Sequence, residues 1–184
     1  MQFFLYTLFA AGIVVADQVT KYLTVSHIYN PGLTGEELAA LADAFHVDAS
    51  VLPNLPTNIP VIPNVISFSH VDNDGGAWSM FPGMQWLFAA VFLLFTAAIV
   101  WEFSKKRLPF TTFERWCIVG IFAGGLGNMI DRLRLGYVVD MIEVDFMRFA
   151  VFNVADIFIT CGCFLLIAHL IFFNKAFWKD DKKK

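Results

Sequence analysis

Basic residues are nearly missing from one long stretch of this chain: between Asp17 and Gly83 a single lysine, Lys21, stands against seven acids. Loops on the cytoplasmic side of a membrane are rich in Lys and Arg, so in a membrane protein this stretch belongs outside. Charge is scarce throughout, 16% of 184 residues, and the net charge of −3 says little about partners because the charges are segregated along the chain; no nucleic-acid partner is expected. Only three cysteines occur, Cys117, Cys161 and Cys163, all inside apolar runs. The spacing of the last two puts them on different faces of a helix, which leaves small packing residues and no disulfide or metal site. The four histidines, His27, His46, His70 and His169, share no ligand spacing. Neither H-E-x-x-H nor G-x-S-x-G is present, which excludes the zinc-protease and serine-elbow signatures. The opening "MQFFLYTLFAAGIVVADQ" has no basic n-region and runs straight into a charged stretch, unlike a cleavable signal peptide.

What the chain does have is grease. Hydrophobic residues make up 58% of it, with 21 phenylalanines and a mean hydropathy of +0.63, more than a soluble domain of this size can hide. Four apolar stretches stand out: Phe3 to Ala16, Met84 to Trp101, Trp116 to Ile130 and Ile157 to Phe173. A helix needs roughly 20 residues to cross about 30 Å of hydrocarbon, so each span borrows a turn from its flanks. Those turns contain Asp17, Asp131 and Asp156. Lys105, Lys106, Arg107 and Arg115 crowd the second connection, and five lysines follow Phe173, which puts both termini in the cytoplasm. One membrane-embedded domain over 1–184 is expected, with an outer-face insertion at about 30–63.

Within that insertion, "TGEELAALADAF" reads as an amphipathic helix. Thr34 and Glu37 make a capping box, and Leu38, Leu41, Ala42 and Phe45 fall on one face. Its apolar side could rest on lipid, on the protein, or over a cleft between the span ends, tuning access to it. Pro53, Pro56, Pro60 and Pro63 then favour an extended connector. "VISFSHV" and "IEVDF" alternate apolar and polar residues, as two strands of a small outer sheet would.

Ionisable groups at the ends of spans are costly unless paired or wet, and so point to function. At about 1.5 Å per residue, Asp131 lies roughly 22 Å along its span from Trp116, and Asp156 roughly 27 Å from Phe173. Two antiparallel spans would bring these carboxylates to similar depth. A carboxylate pair sharing a proton supplies one acid and one base, which is what water needs to attack a peptide bond. Asn128 and Asn153 each precede their aspartate by three residues. Singly, Asn153 or Asp156 could merely cap a helix, whereas Asp131 at a helix C-terminus opposes the dipole. Arg132 could pair with Asp131 or bind lipid phosphate. Gly120, Gly124, Gly125 and Gly127 mark close helix packing. An ion-coupled transporter would distribute acids through the membrane and show an inverted repeat, and neither is present.

Four blocks, "DQVTK" (Asp17 to Lys21), "NDGGAWS" (Asn73 to Ser79), "GNMIDR" with "GYVVD" (Gly127 to Asp140) and "FNVAD" (Phe152 to Asp156), occur in order at the outer ends of the spans. With these blocks the chain resembles the lipoprotein signal peptidases, or signal peptidase II. The resemblance implies an intramembrane aspartyl protease that is mainly α, with four transmembrane helices, a small extramembrane β-sheet and a surface helix on the outer face. It implies cleavage of diacylglyceryl-modified prolipoproteins just before the lipidated cysteine, in a bacterial inner membrane. Carried over by position, the catalytic pair is Asp131 and Asp156, and Asp17, Lys21, Asn73, Gly75, Asn128, Arg132, Asp140, Asn153 and Ala155 surround the substrate. Globomycin-type inhibitors are expected to block it, membrane lipids to surround it, and no metal or organic cofactor is implied. Trp78 stands where the family has Phe, Met141 where an aromatic is usual, and the interval from Lys21 to Asn73 is longer than the family norm.

Overall fold

The computed structural model describes residues 1–105 and 107–178; Lys106 and the lysines at 179 and 182–184 lie outside the described residues. Five α-helices and three strands follow one another along it: α1 (Gln2–His27), α2 (Gly35–Phe45), β1 (Asn58–Ile62), β2 (Ile66–Asn73), α3 (Gln85–Lys105), α4 (Thr112–Leu135), β3 (Val138–Val144) and α5 (Val154–Phe172). Each of the four apolar stretches falls on one of the long helices α1, α3, α4 and α5. Three of the helices, α1, α3 and α5, are long and apolar enough to cross a membrane. The 24-residue α4 falls short on composition, not length: it carries Glu114, Arg115, Asp131, Arg132, Arg134 and four glycines. Its position explains this. Helix α4 packs against α1, α3 and α5, so its polar side chains and glycines face other helices, whereas α3 buries only Glu102.

Two of those glycines set the spacing. A Cβ on Gly124 would run into the Ala155 carbonyl, and one on Gly127 would meet the Asp17 carboxylate 2.5 Å away. Capping boxes start both α4 (Thr111 with Glu114) and α5 (Asn153 with Asp156). At its other end α4 stops on Gly136, whose φ of +84° suits a residue without a side chain. That left-handed turn sends the chain straight into β3.

The sheet is antiparallel with order β1-β2-β3, and its strands come from both long connections. Strand β1 is a third strand where a proline connector is the sequence expectation; Pro60 is tolerated because β1 is an edge and needs no N–H there. Strand β3 starts at Val138, four residues before the alternating "IEVDF", and Asp145 and Phe146 lie in the turn beyond it. This shift decides the site, because it puts Asp140 on a strand.

Helix α2 has its capping box, and its apolar face lies on protein, not on lipid or over a cleft. Leu41 and Phe45 pack with Val25 of α1 and with Val139 and Met141 of β3, flanked by Leu33, Leu135 and Tyr137. Arg134 donates to the Ala44 carbonyl at 2.5 Å and lies 4.9 Å over the Phe45 ring, a cation at the negative end of a helix. Truncating Phe45, only 5% exposed, opens a cavity in this cluster. Phe45→Ala is expected to cost about 3 kcal/mol, read as a lowered thermal midpoint in detergent, and no change in midpoint would contradict the packing described.

Candidate active site

The residues of the four blocks converge where the C-terminal halves of α1 and α4 and the first turn of α5 meet β3. Lys21 is at the centre and fully buried. Its ammonium has three N–H donors, and each has an acceptor: Asp17 Oδ2 at 2.9 Å, Asp131 Oδ2 at 2.8 Å and Asn128 Oδ1 at 3.0 Å. Asp17 uses its other oxygen to accept the backbone N–H of Ala155 at 3.0 Å, which ties α1 to the first turn of α5. Asp131 accepts the backbone N–H of Val139 at 3.2 Å and the Gln18 amide at 3.0 Å, which ties α4 and α1 to β3.

A chain of amides leads outward from this cluster. Asn128 donates to Asp156 Oδ1 at 2.8 Å. Asn153, the N-cap of α5, donates to Asn128 Oδ1 at 3.0 Å and to Asp140 Oδ1 at 2.7 Å, and its own carbonyl oxygen accepts the Asp156 N–H at 2.9 Å. Asp140 accepts a second amide, from Asn73, at 2.9 Å. Asp140 and Asp156 are thereby joined through the same two asparagines. Burial and the charge of Asp156 push the Asp140 carboxyl from 3.8 up to about 7, against the opposing effects of Asn73, Lys21 and Asn153.

Both carboxylates line a cavity of about 770 Å³. Asn73, Asn128 and Arg132 join them at its polar end, and Phe88, Val91, Phe92, Phe95 and Ile121 form an apolar wall that runs down between α3 and α4. Arg132 donates to the Gly75 carbonyl at 2.7 Å and stacks 4.4 Å over Phe88. A side chain on Gly75 would collide with the backbone of Ser79 and Met80, so this loop closes only around glycine.

The sequence profile of the family described as Signal peptidase (SPase) II matches residues 9–172. The lipoprotein signal peptidase of Streptococcus pyogenes serotype M2 is 32% identical over 169 residues, 92% of this chain and 90% of that one. That of Lactococcus lactis subsp. lactis is 40% identical over 112 residues, 59% of this chain and 71% of that one. A solved bacterial membrane enzyme superposes with a TM-score of 0.71 at 27% identity, covering 97% of this chain and 94% of the other, and a second does so at 0.67 and 29%. The chain belongs to the signal peptidase II family. It is an aspartic peptidase of lipoprotein processing, with membrane-spanning helices.

In this peptidase Asp156 is brought together with Asp140, and Asp131 does not line the cavity. Depth along a span leaves the direction of a side chain open. Residues three apart on a helix differ by about 60° in azimuth, so Asn128 faces α5 while Asp131 faces α1 and Lys21. Arg132, a candidate partner for Asp131, bonds to Gly75 instead. Lys21 is held by two acids and one amide and has no N–H left over for another partner. Ala155 contributes its backbone N–H, and Gly75 its carbonyl. Gln18, to which the motif pattern assigns no role although it lies inside "DQVTK", bridges Asp17, Asp131 and the Gly127 carbonyl through its amide. Its place next to Asp17 and three residues before Lys21 was the available signal.

Removing the ammonium leaves two carboxylates bare in the interior. Lys21→Met is therefore expected to destabilise the folded protein by about 3–5 kcal/mol. Adding Asp131→Asn should recover part of that loss in thermal unfolding. A double mutant less stable than Lys21→Met would show that the two charges are not coupled.

Proposed function

We propose that the chain cuts diacylglyceryl-modified prolipoproteins just before the lipidated cysteine, and that Asp140 and Asp156 are the carboxylate pair. The observation that carries this is their shared cavity: both carboxylates stand at its polar end, joined by Asn128 and Asn153, above a wall of apolar residues. Such a wall suits acyl chains and an apolar signal segment. Membrane lipids and globomycin-type inhibitors compete for the same volume in this reading.

With Asp140 holding a proton near neutral pH, Asp156 takes one from the attacking water. Asp140 gives its own to the carbonyl oxygen, and a tetrahedral gem-diol forms. Return of a proton to the cysteine nitrogen breaks the C–N bond, releases the lipidated N-terminus and leaves the signal peptide with a carboxyl group. Arg132 lines the cavity, so its guanidinium stands where it can donate to a substrate carbonyl. Lys21, Asp17, Asp131 and Gln18 position these groups. Asp131 does so through Val139, the neighbour of Asp140.

Asp140→Asn and Asp156→Asn are each expected to lower single-turnover cleavage of a lipidated prolipoprotein by about a thousandfold on folded enzyme, and the double mutant by little more. Asp131→Asn should retain measurable cleavage with a lower thermal midpoint. If Asp131→Asn is as inactive as Asp156→Asn while Asp140→Asn still cuts, the pair is Asp131 with Asp156. Activity should decline as pH rises through about 7, where Asp140 loses its proton. Because its folded value lies above 3.8, the protonated form favours folding, and stability contributed here is lost as pH rises from about 4 to about 7. Asp140→Asn should therefore gain midpoint relative to wild type at pH 8 compared with pH 5.

The same reading makes α4 the fourth span of a single domain, with both termini in the cytoplasm and the sheet over the outer leaflet. The pairing of β2 with β3 supports it, since the two long connections must then lie on one side. A cysteine at Asp48 should react with an impermeant maleimide applied to intact cells, and one at Lys175 only after permeabilisation. External labelling at 175 would invert the topology.

A further inference from the structure

Asp140 lines a second cavity as well, of about 300 Å³. The two cavities share Asn73, Trp78, Asp140, Phe149, Ala150 and Val151. At their boundary the Trp78 and Phe149 rings meet edge to face, with centroids 5.7 Å apart and planes at 73°. The cavities differ in what lies beyond. The larger one descends to Phe95 of α3, Ile121 of α4 and Cys161 of α5. The smaller one is made only by β2, β3 and the connections that follow them, with Val71, Ser79 and Arg148 completing its wall. Arg148 is exposed, and no ion pair among the described residues involves it.

A lipidated precursor has halves as unlike as these cavities. The signal segment and the acyl chains are apolar, whereas the polypeptide after the cysteine must leave for water. With the scissile bond at Asp140 and Asp156, as the function proposed above requires, the second cavity is the exit on the mature side. We infer that this cavity is a subsite for the first residues after the lipidated cysteine, and that Arg148 makes it select acidic side chains over basic ones there. A volume of 300 Å³ is about 8 Å across if compact, which holds two to three extended residues at about 3.3 Å each. The side chains that meet Arg148 are thus those of the second and third residues of the mature chain.

Lipidated prolipoprotein substrates differing only at those two positions, Asp-Asp against Lys-Lys, test this in competition within one reaction. The product ratio is independent of how much enzyme is folded. Wild type is expected to favour Asp-Asp by about threefold at low salt, the scale of an exposed charge pair, and less at 1 M salt. Arg148→Gln should bring the ratio to about one, and Arg148→Glu should reverse it. An unchanged ratio in Arg148→Glu, or no preference in wild type, overturns the subsite while leaving the peptidase reading intact. Failure of wild type to cut either substrate, or a neutral Ser-Ser control, overturns the peptidase reading itself.

Discussion

One buried ammonium holds the site together. The Lys21 Nζ has three N–H bonds, and they reach three side chains that each go on to fix something else. Asp17 holds the Ala155 N–H at the start of α5, Asp131 holds the Val139 N–H on β3, and Asn128 holds the Asp156 carboxylate. Asp140 follows Val139 and Asp156 follows Ala155 by one residue. The positions of both cavity carboxylates are therefore set from the same point, through two backbone anchors and one side chain. Two carboxylates around one ammonium would be costly in a low-dielectric interior. The Gln18 amide and two backbone N–H groups supply the further donors that make the arrangement bearable.

That network demands short distances between helices, and the glycines provide them. Gly127 lets the Asp17 carboxylate lie where a side chain would otherwise sit, and Gly124 lets the Ala155 backbone come against α4. The same crowding accounts for the composition of α4. A helix surrounded by partners has little lipid to face and can carry Asn128, Asp131 and Arg132. In α3, on the outside of the bundle, nearly every position must be apolar. Hydropathy thus weakens along the helix that matters most.

What could be seen in the sequence follows from the same physics. Apolar runs and the capping box at Thr34 are properties of consecutive residues, and "TGEELAALADAF" or the run from Met84 to Trp101 declare themselves. Azimuth around a helix and the starting register of a strand are not. The sequence places Asp131 and Asp156 at one depth, but which of the aspartates in "GNMIDRLRLGYVVD" reaches the cavity depends on Gly136 reversing the chain and on β3 beginning at Val138. A strand read as starting at Ile142 leaves Asp140 in a loop with no direction assigned. The third strand was hidden for a related reason: prolines argue against a ladder, but an edge strand such as β1 can spare the N–H.

Strand alternation gives the insertion its part in the chemistry. Successive residues of a strand point to opposite faces. With Asp140 turned to the cavity, Val139 and Met141 are turned away, and both are almost completely buried beneath Leu41 and Phe45 of α2. The helix of the 30–63 insertion lines neither cavity. It covers the rear of the strand whose front carries a carboxyl. Asp131 clamps that strand through the Val139 N–H and α2 packs the Val139 side chain, so one residue next to Asp140 is held by its backbone and its side chain together. A carboxyl works with a second carboxyl only while the strand that carries it keeps its place, and a loosely held strand would be displaced outward. The backing helix opposes that displacement, which is a reason for a longer connection between Lys21 and Asn73 that does not depend on its reaching the substrate at all.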